Sequence, residues 1–196
     1  TSYSNVEIKN TSLDTISLNK YLQKIKSLKI ANVILEASSH GLKQHRLDGV
    51  NFNTGIFTNL SRDHLDYHKS YKDYLNSKLI LFKKLMKRNS NVITDRDISE
   101  YKIIKTIAKN KNLKIFTIGT KKSSLEIIKH SYSDDKQIFQ IKYKNNIYKV
   151  KINLIGKVQI KNILMAMLAA EKSNLQFKKI IKLASKIKSV HGRFEK

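Results

Sequence analysis

The chain has 196 residues, enough for one sizeable core with a small appendage and too few for several full domains. It contains no cysteine, which excludes disulfides and cysteine-based metal sites; no apolar run nears the roughly 18 residues of a membrane span, and the N-terminus lacks a signal-peptide pattern, so a cytoplasmic protein without a membrane partner is expected. The formal net charge of +24 invites a nucleic-acid reading, yet only five of the 39 basic residues are arginine (Arg46, Arg62, Arg88, Arg96, Arg193) and lysine is spread along nearly every segment, so the charge reads as a compositional bias that also favours small anionic ligands.

Taken in chain order, Leu13, Ile16, Leu18, Tyr21, Leu22, Ile25 and Leu28 recur at near-helical spacing and predict an amphipathic helix over 13–28. The short apolar core Val33 to Leu35 in "ANVILEASS" predicts a buried parallel strand, and "NTGIFTNL" a second strand. After an Asp/His-rich loop, Tyr71, Tyr74, Leu75, Lys78, Leu79, Phe82, Leu85 and Met86 mark one buried helix face, with a lysine at its centre. "NVITD" predicts a strand, "SEYKIIKTIAKN" a helix and "KIFTIG" a further strand, an alternation that argues for βαβ units. Three strand-like runs, "SLEIIKHSYS", "KQIFQIKYK" and "NIYKVKINLI", then alternate with the turns "DDK" and "NN", as in an antiparallel meander. Two helices are expected at roughly 158–172 and 175–189. The class is therefore α/β: a mostly parallel sheet flanked by helices, with a small antiparallel β meander.

Ligands of open parallel sheets sit beyond the carboxyl ends of strands. Glu36, Ser38, Ser39 and His40 fall after one predicted strand, and Asn59, Arg62, Asp63, His64, Asp66 and His68 after the next. If those strands are neighbours, Glu36 and His64 could share a cation, with Mg²⁺ or Mn²⁺ better suited than a structural zinc; otherwise both groups are solvated polar loops. Lys78 either packs its stem and lifts its amine to the edge, or loses its proton and takes up other chemistry. The chain has no G-x-x-x-x-G-K-[ST] or G-x-G-x-x-G phosphate loop and no G-x-S-x-G elbow.

The stretch "LEASSHGLKQHRLDGVNFNTGIFTNLSRDHLDYHKSYKDYLNSKLILF" closely resembles the Mur ligase family, in the branch that adds the third peptide residue in peptidoglycan synthesis. The similarity is dense over residues 35–82, in "E-x-SSHxLxQxR", "FTNLxxDHLDYH" and the lysine of "YxxxKxxLF", and extends through "NTS" at 10–12, "GKVQIKN" and "HGRFEK". The resemblance implies an ATP-dependent amide ligase that joins a diamino acid, meso-diaminopimelate or L-lysine, to UDP-MurNAc-L-Ala-D-Glu through an acyl phosphate, using Mg²⁺. It further implies that Lys78 is carbamylated by CO₂ to N6-carboxylysine and holds Mg²⁺ together with His64, and that Glu36 holds the Mg²⁺ that bridges the nucleotide phosphates. Asn10, Thr11, Ser12, Ser38, Gln44 and Arg46 match positions that bind the UDP-muramoyl dipeptide, Asn162 an adenine-binding asparagine, and Arg193 a linker arginine that reaches the nucleotide.

The sequence departs from the family where Ser12 and Leu13 replace a Thr-Pro pair, and where Val158 and Gln159 replace a Phe-Asn pair. On this reading residues 1–190 are the family's central domain without its phosphate-loop strand and helix, and 191–196 begin a linker to a further domain. The expected chain is a monomer, inactive by itself. The alternatives are a basic nucleic-acid-binding domain and another muramyl or folylpolyglutamate ligase.

Overall fold

The computed structural model describes residues 13–60, 67–133, 136–154 and 156–187. Their contacts divide into two compact units, Thr1–Phe52 with Leu60–Met86 and Asn53–Asn59 with Lys87–Lys196.

The first unit is built from helices. Helix α1 (Thr15–Ser27) starts where the Asp14 side chain accepts the Ser17 N–H at 2.9 Å, satisfying one of the amide donors a helix start leaves open. The short α2 (Ser39–Lys43) repeats the device, with Ser38 Oγ accepting from Gly41 N at 3.1 Å. The Thr15 hydroxyl donates to the carbonyls of His45 and Arg46, tying α1 to the turn after α2. Helix α3 (Tyr71–Ile80) begins at Ser70, whose Oγ accepts from Asp73 N, and runs into a π-helical turn, Leu81–Leu85.

The predicted face of α3 is buried at Tyr74, Leu79, Phe82, Leu85 and Met86 and half-buried at Leu75 and Lys78. It differs at two positions. Tyr71, in the first turn, is 42% exposed, and Met86 opens the next strand instead of closing the helix. The widened π turn keeps Leu81, Phe82 and Leu85 inward, and a period of 3.6 cannot anticipate it.

The Val33–Leu35 strand does not form: residues 31–38 carry no regular secondary structure, and Ile34 is 96% exposed. A parallel strand is a collective object whose backbone groups need neighbours, and the sheet among the described residues is made of β1 to β6 alone.

The second unit carries one six-stranded sheet in the order β1 (Phe52–Phe57), β2 (Met86–Asp95), β3 (Lys114–Gly119), β4 (Leu125–Ser133), β5 (Lys136–Tyr143), β6 (Asn146–Ile152). β2 and β3 are parallel, Asn91 facing Lys114 and Asp95 facing Ile118, and the connection is α4 (Tyr101–Asn110), which buries Ile104, Ile107 and Ala108. β3 and β4 are also parallel although only residues 120–124 join them, because they overlap at two pairs alone, Ile118 with Leu125 and Gly119 with Glu126. The loop is closed by Thr117 and Ser124, each backbone N–H donating to the other's hydroxyl, and a Cβ at Gly119 would stand 2.6 Å from Ser123 Oγ.

The meander β4–β5–β6 is antiparallel as expected and continues the same sheet. Its second turn is Lys144–Asn145, with Lys144 at φ 55 as a two-residue hairpin requires. Helix α5 (Lys157–Lys172) buries Ile160, Ile163, Leu164, Met165, Met167 and Leu168 in one core with Ile93, Ile118, Phe139, Ile141 and Val150. Helix α6 (Phe177–Ala184) adds Phe177 and Ile180; it is shorter than expected, and positions 188–189 lie outside the described residues.

Candidate functional site

Residues from the motifs within 35–82 meet, in the first unit, in one aromatic and ionic cluster. His68 is 1% exposed, with Nε2 2.9 Å from Ser39 Oγ at the start of α2 and Nδ1 3.5 Å from Asp73 Oδ2 in the first turn of α3. Asp73 accepts from Lys43 Nζ at 2.6 Å and from the Lys69 backbone N–H at 3.3 Å. Tyr74 stacks on His68 at 4.9 Å, Tyr67 meets it edge-on at 5.0 Å, and the His40 ring lies 3.9 Å from that of Tyr67. Lys78 Nζ stands 5.1 Å from the centre of the Tyr74 ring, and Gln44 Nε2 donates to Tyr67 Oη at 3.1 Å.

The electrostatics follow from this packing. Burial pushes the His68 pKa down, against the opposing pull of the Asp73 carboxylate, so the imidazole is held neutral. The hydrogen bond from Lys43 holds the Asp73 carboxyl below its usual range.

Of the predicted residues, Ser38 caps α2, Gln44 is exposed at its C-terminal end, and Arg46 is half-buried two residues on. Glu36 is exposed on the irregular 31–38 segment. His64 lies outside the described residues, as do Arg62, Asp63, Asp66, Asn10, Thr11, Ser12 and Arg193. Among the described residues no three acid or imidazole side chains gather as a metal cluster. Asn162 belongs to the second unit, half-buried on α5 next to Lys161. Lys161 pairs with Asp95, which is fully buried at the end of β2 and accepts the Asp97 N–H at 2.8 Å.

Sequence reasoning missed Lys43 and Asp73. The available signal was "SYKD", a serine followed three residues on by an acid, which marks a helix start and places Asp73 in its first turn.

An α/β sheet in one unit and these motifs on the helices of the other define the class. The family described as Mur ligase middle domain matches residues 1–170, and the chain belongs to it. It is 36% identical over 186 residues to the UDP-N-acetylmuramoyl-L-alanyl-D-glutamate--2,6-diaminopimelate ligase of Rickettsia montanensis, covering 95% of this chain and 39% of that protein. To the ligase of the same name from Fusobacterium nucleatum subsp. nucleatum it is 38% identical over 189 residues, 96% of this chain and 38% of that one. A solved structure of a ligase with this name superposes with a TM-score of 0.84 at 27% identity, over 93% of this chain and 38% of that one. The chain thus spans 38–39% of the length of these relatives.

Proposed function

We propose that the chain is the central part of an ATP-dependent ligase that joins a diamino acid to UDP-N-acetylmuramoyl-L-alanyl-D-glutamate in peptidoglycan synthesis. The observation that carries this reading is the identity of 36–38% to diaminopimelate-adding relatives over 95–96% of the chain. The names of the same relatives favour 2,6-diaminopimelate over L-lysine as the amino acid. Residues 1–190 form the central domain and 191–196 open a linker.

In the reaction a γ-carboxylate oxygen of the D-glutamyl residue attacks the γ-phosphorus of ATP and ADP leaves. The amine of the diamino acid then attacks the acyl carbon, phosphate departs, and the nitrogen gives up a proton. The task of this chain is positioning and electrostatic stabilisation. Ser38, Gln44 and Arg46, with Asn10, Thr11 and Ser12, hold the UDP-muramoyl dipeptide; Asn162 and Arg193 hold the nucleotide.

His64 with a carbamate on Lys78 would hold one Mg²⁺ and Glu36 another, and the carboxylate-type oxygen in each suits a hard cation. When bound, Mg²⁺ supplies neutralisation of the charge on the transferred phosphoryl group. Lys78 stands on a half-buried helix face with Nζ over the Tyr74 ring, a contact that favours the ammonium, so carbamylation there requires the neutral amine. Carbamylation forms an N–C bond between that neutral amine and CO₂ and releases the amine proton.

The test is phosphate release by the full-length parent with UDP-muramoyl dipeptide, ATP and diaminopimelate, for wild type and Lys78→Ala, with and without short carboxylic acids. The expected result is loss of turnover in the variant and partial recovery with the acid. Equal activity in the two proteins would leave Lys78 a packing residue and sink the carbamate.

A further inference from the structure

Among the described residues His68 is the most buried charge-capable group of the motif region, and the proposed reaction gives it no task. Its Nδ1 faces the Asp73 carboxylate at 3.5 Å, and its Nε2 lies 2.9 Å from Ser39 Oγ. With the proton on Nδ1, directed at the carboxylate, Nε2 accepts the hydrogen bond of the Ser39 hydroxyl.

Carboxylate, imidazole and hydroxyl in this order are the parts of a nucleophilic triad. Here the hydroxyl cannot serve as one. Ser39 is only 4% exposed, so no carbonyl substrate reaches Oγ, and Asp73 is already engaged by Lys43 at 2.6 Å. The network joins helices instead: Ser39 and Lys43 belong to α2, Asp73 and Tyr74 to α3, and His68 lies between them. Both candidate functional groups are one aromatic ring away from it. Lys78 Nζ lies over Tyr74, which stacks on His68, and Gln44 donates to Tyr67, which meets His68 edge-on.

We propose that His68 is a positioning residue: as a neutral imidazole bonded to Ser39 and facing Asp73, it sets α2, with its muramoyl-dipeptide contacts Ser38 and Gln44, against α3 and Lys78. The proposal rests on the ligase reading above. It implies that loss of the imidazole misplaces one substrate and not the other, because Asn162, the nucleotide contact, belongs to the second unit.

The test uses the full-length parent with His68→Phe, which keeps the ring volume without the hydrogen bonds, and His68→Gln, whose amide can still accept from Ser39 and donate. His68→Phe should raise KM for the UDP-muramoyl dipeptide about tenfold or more and lower kcat, with KM for ATP within about twofold, and His68→Gln should recover most of the loss. Equal rises in both KM values, or no difference between the two variants, would overturn the positioning role. A second measurement does not depend on turnover: ¹⁵N NMR of the His68 ring at neutral pH should show the Nδ1–H tautomer, with the Nε2 signal moving in Ser39→Ala. An imidazolium or an Nε2–H tautomer would overturn the bonding order. A wild type without substrate-dependent turnover would remove the ligase reading, and the ring signals would then report the helix clamp alone.

Discussion

Lys78 illustrates how a single residue can serve packing and chemistry through different atoms. Its stem occupies a half-buried position on α3 while Nζ lies over Tyr74, a contact worth about 0.5–1 kcal/mol. Lys78→Met keeps the stem, so its denaturation midpoint should stay close to that of the wild type, whereas turnover of the parent enzyme should be lost; equal losses of both would show that the amine acts through packing. His68 gives a pH dependence of stability. The groups around it are Lys43 and His40 on α2, Asp73 and Tyr74 on α3, and Tyr67. Its folded pKa lies below the ordinary 6.5, so below that pH the unfolded chain binds a proton that the folded chain refuses. Stability should therefore fall as pH drops from near 6.5 toward the folded value. Urea midpoints at pH 7.5 and 5.5 should differ more in the wild type than in His68→Gln, and a difference of equal size in both would clear His68 of that role.

At the scale of elements, periodicity located the helices well: α1, α4 and α5 stand close to their expected spans, although α1 buries only Leu18 of its stripe and leaves Ile16, Tyr21 and Leu28 exposed. It failed where the local pattern was right and the partner was missing or the helix changed pitch, at Val33–Leu35 and at the π turn after α3. The ion pair of Lys161 with Asp95 is a contact between α5 and the end of β2 that no spacing rule announces. Asp95 is fully buried and Lys161 is 41% exposed, so Lys161→Ala leaves a buried carboxylate short of its cation and should cost roughly 1–3 kcal/mol, less where water reaches the gap. Asp95→Asn paired with Lys161→Ala should cost less than the sum of the single changes. Additive losses in a double-mutant cycle would show that the two side chains do not interact.

For the whole molecule, the charge of +24 is the property most open to misreading. The chain belongs to the Mur ligase middle-domain family, and lysines spread along nearly every segment bind polyanions by counterion release. DNA or RNA should bind weakly, with no sequence preference, and binding should vanish by about 0.2 M salt. Nanomolar binding that survives such salt would restore the nucleic-acid reading. No helix among the described residues is long and apolar enough to cross a membrane.

The sequence alone determined the α/β class, the meander, most helix spans and the residues 35–82 on which the family resemblance rests, because hydrophobic period and short motifs are local properties of the chain. Tertiary structure alone decided that 33–35 stays unpaired and that β4 can follow β3 in parallel across a five-residue loop. It also decided that Lys43, Asp73, His68 and Ser39 form one chain of contacts, buried at His68 and Ser39. Each of these depends on which residues far apart in sequence come within a few ångströms, and that distance is set by packing, which no local pattern encodes.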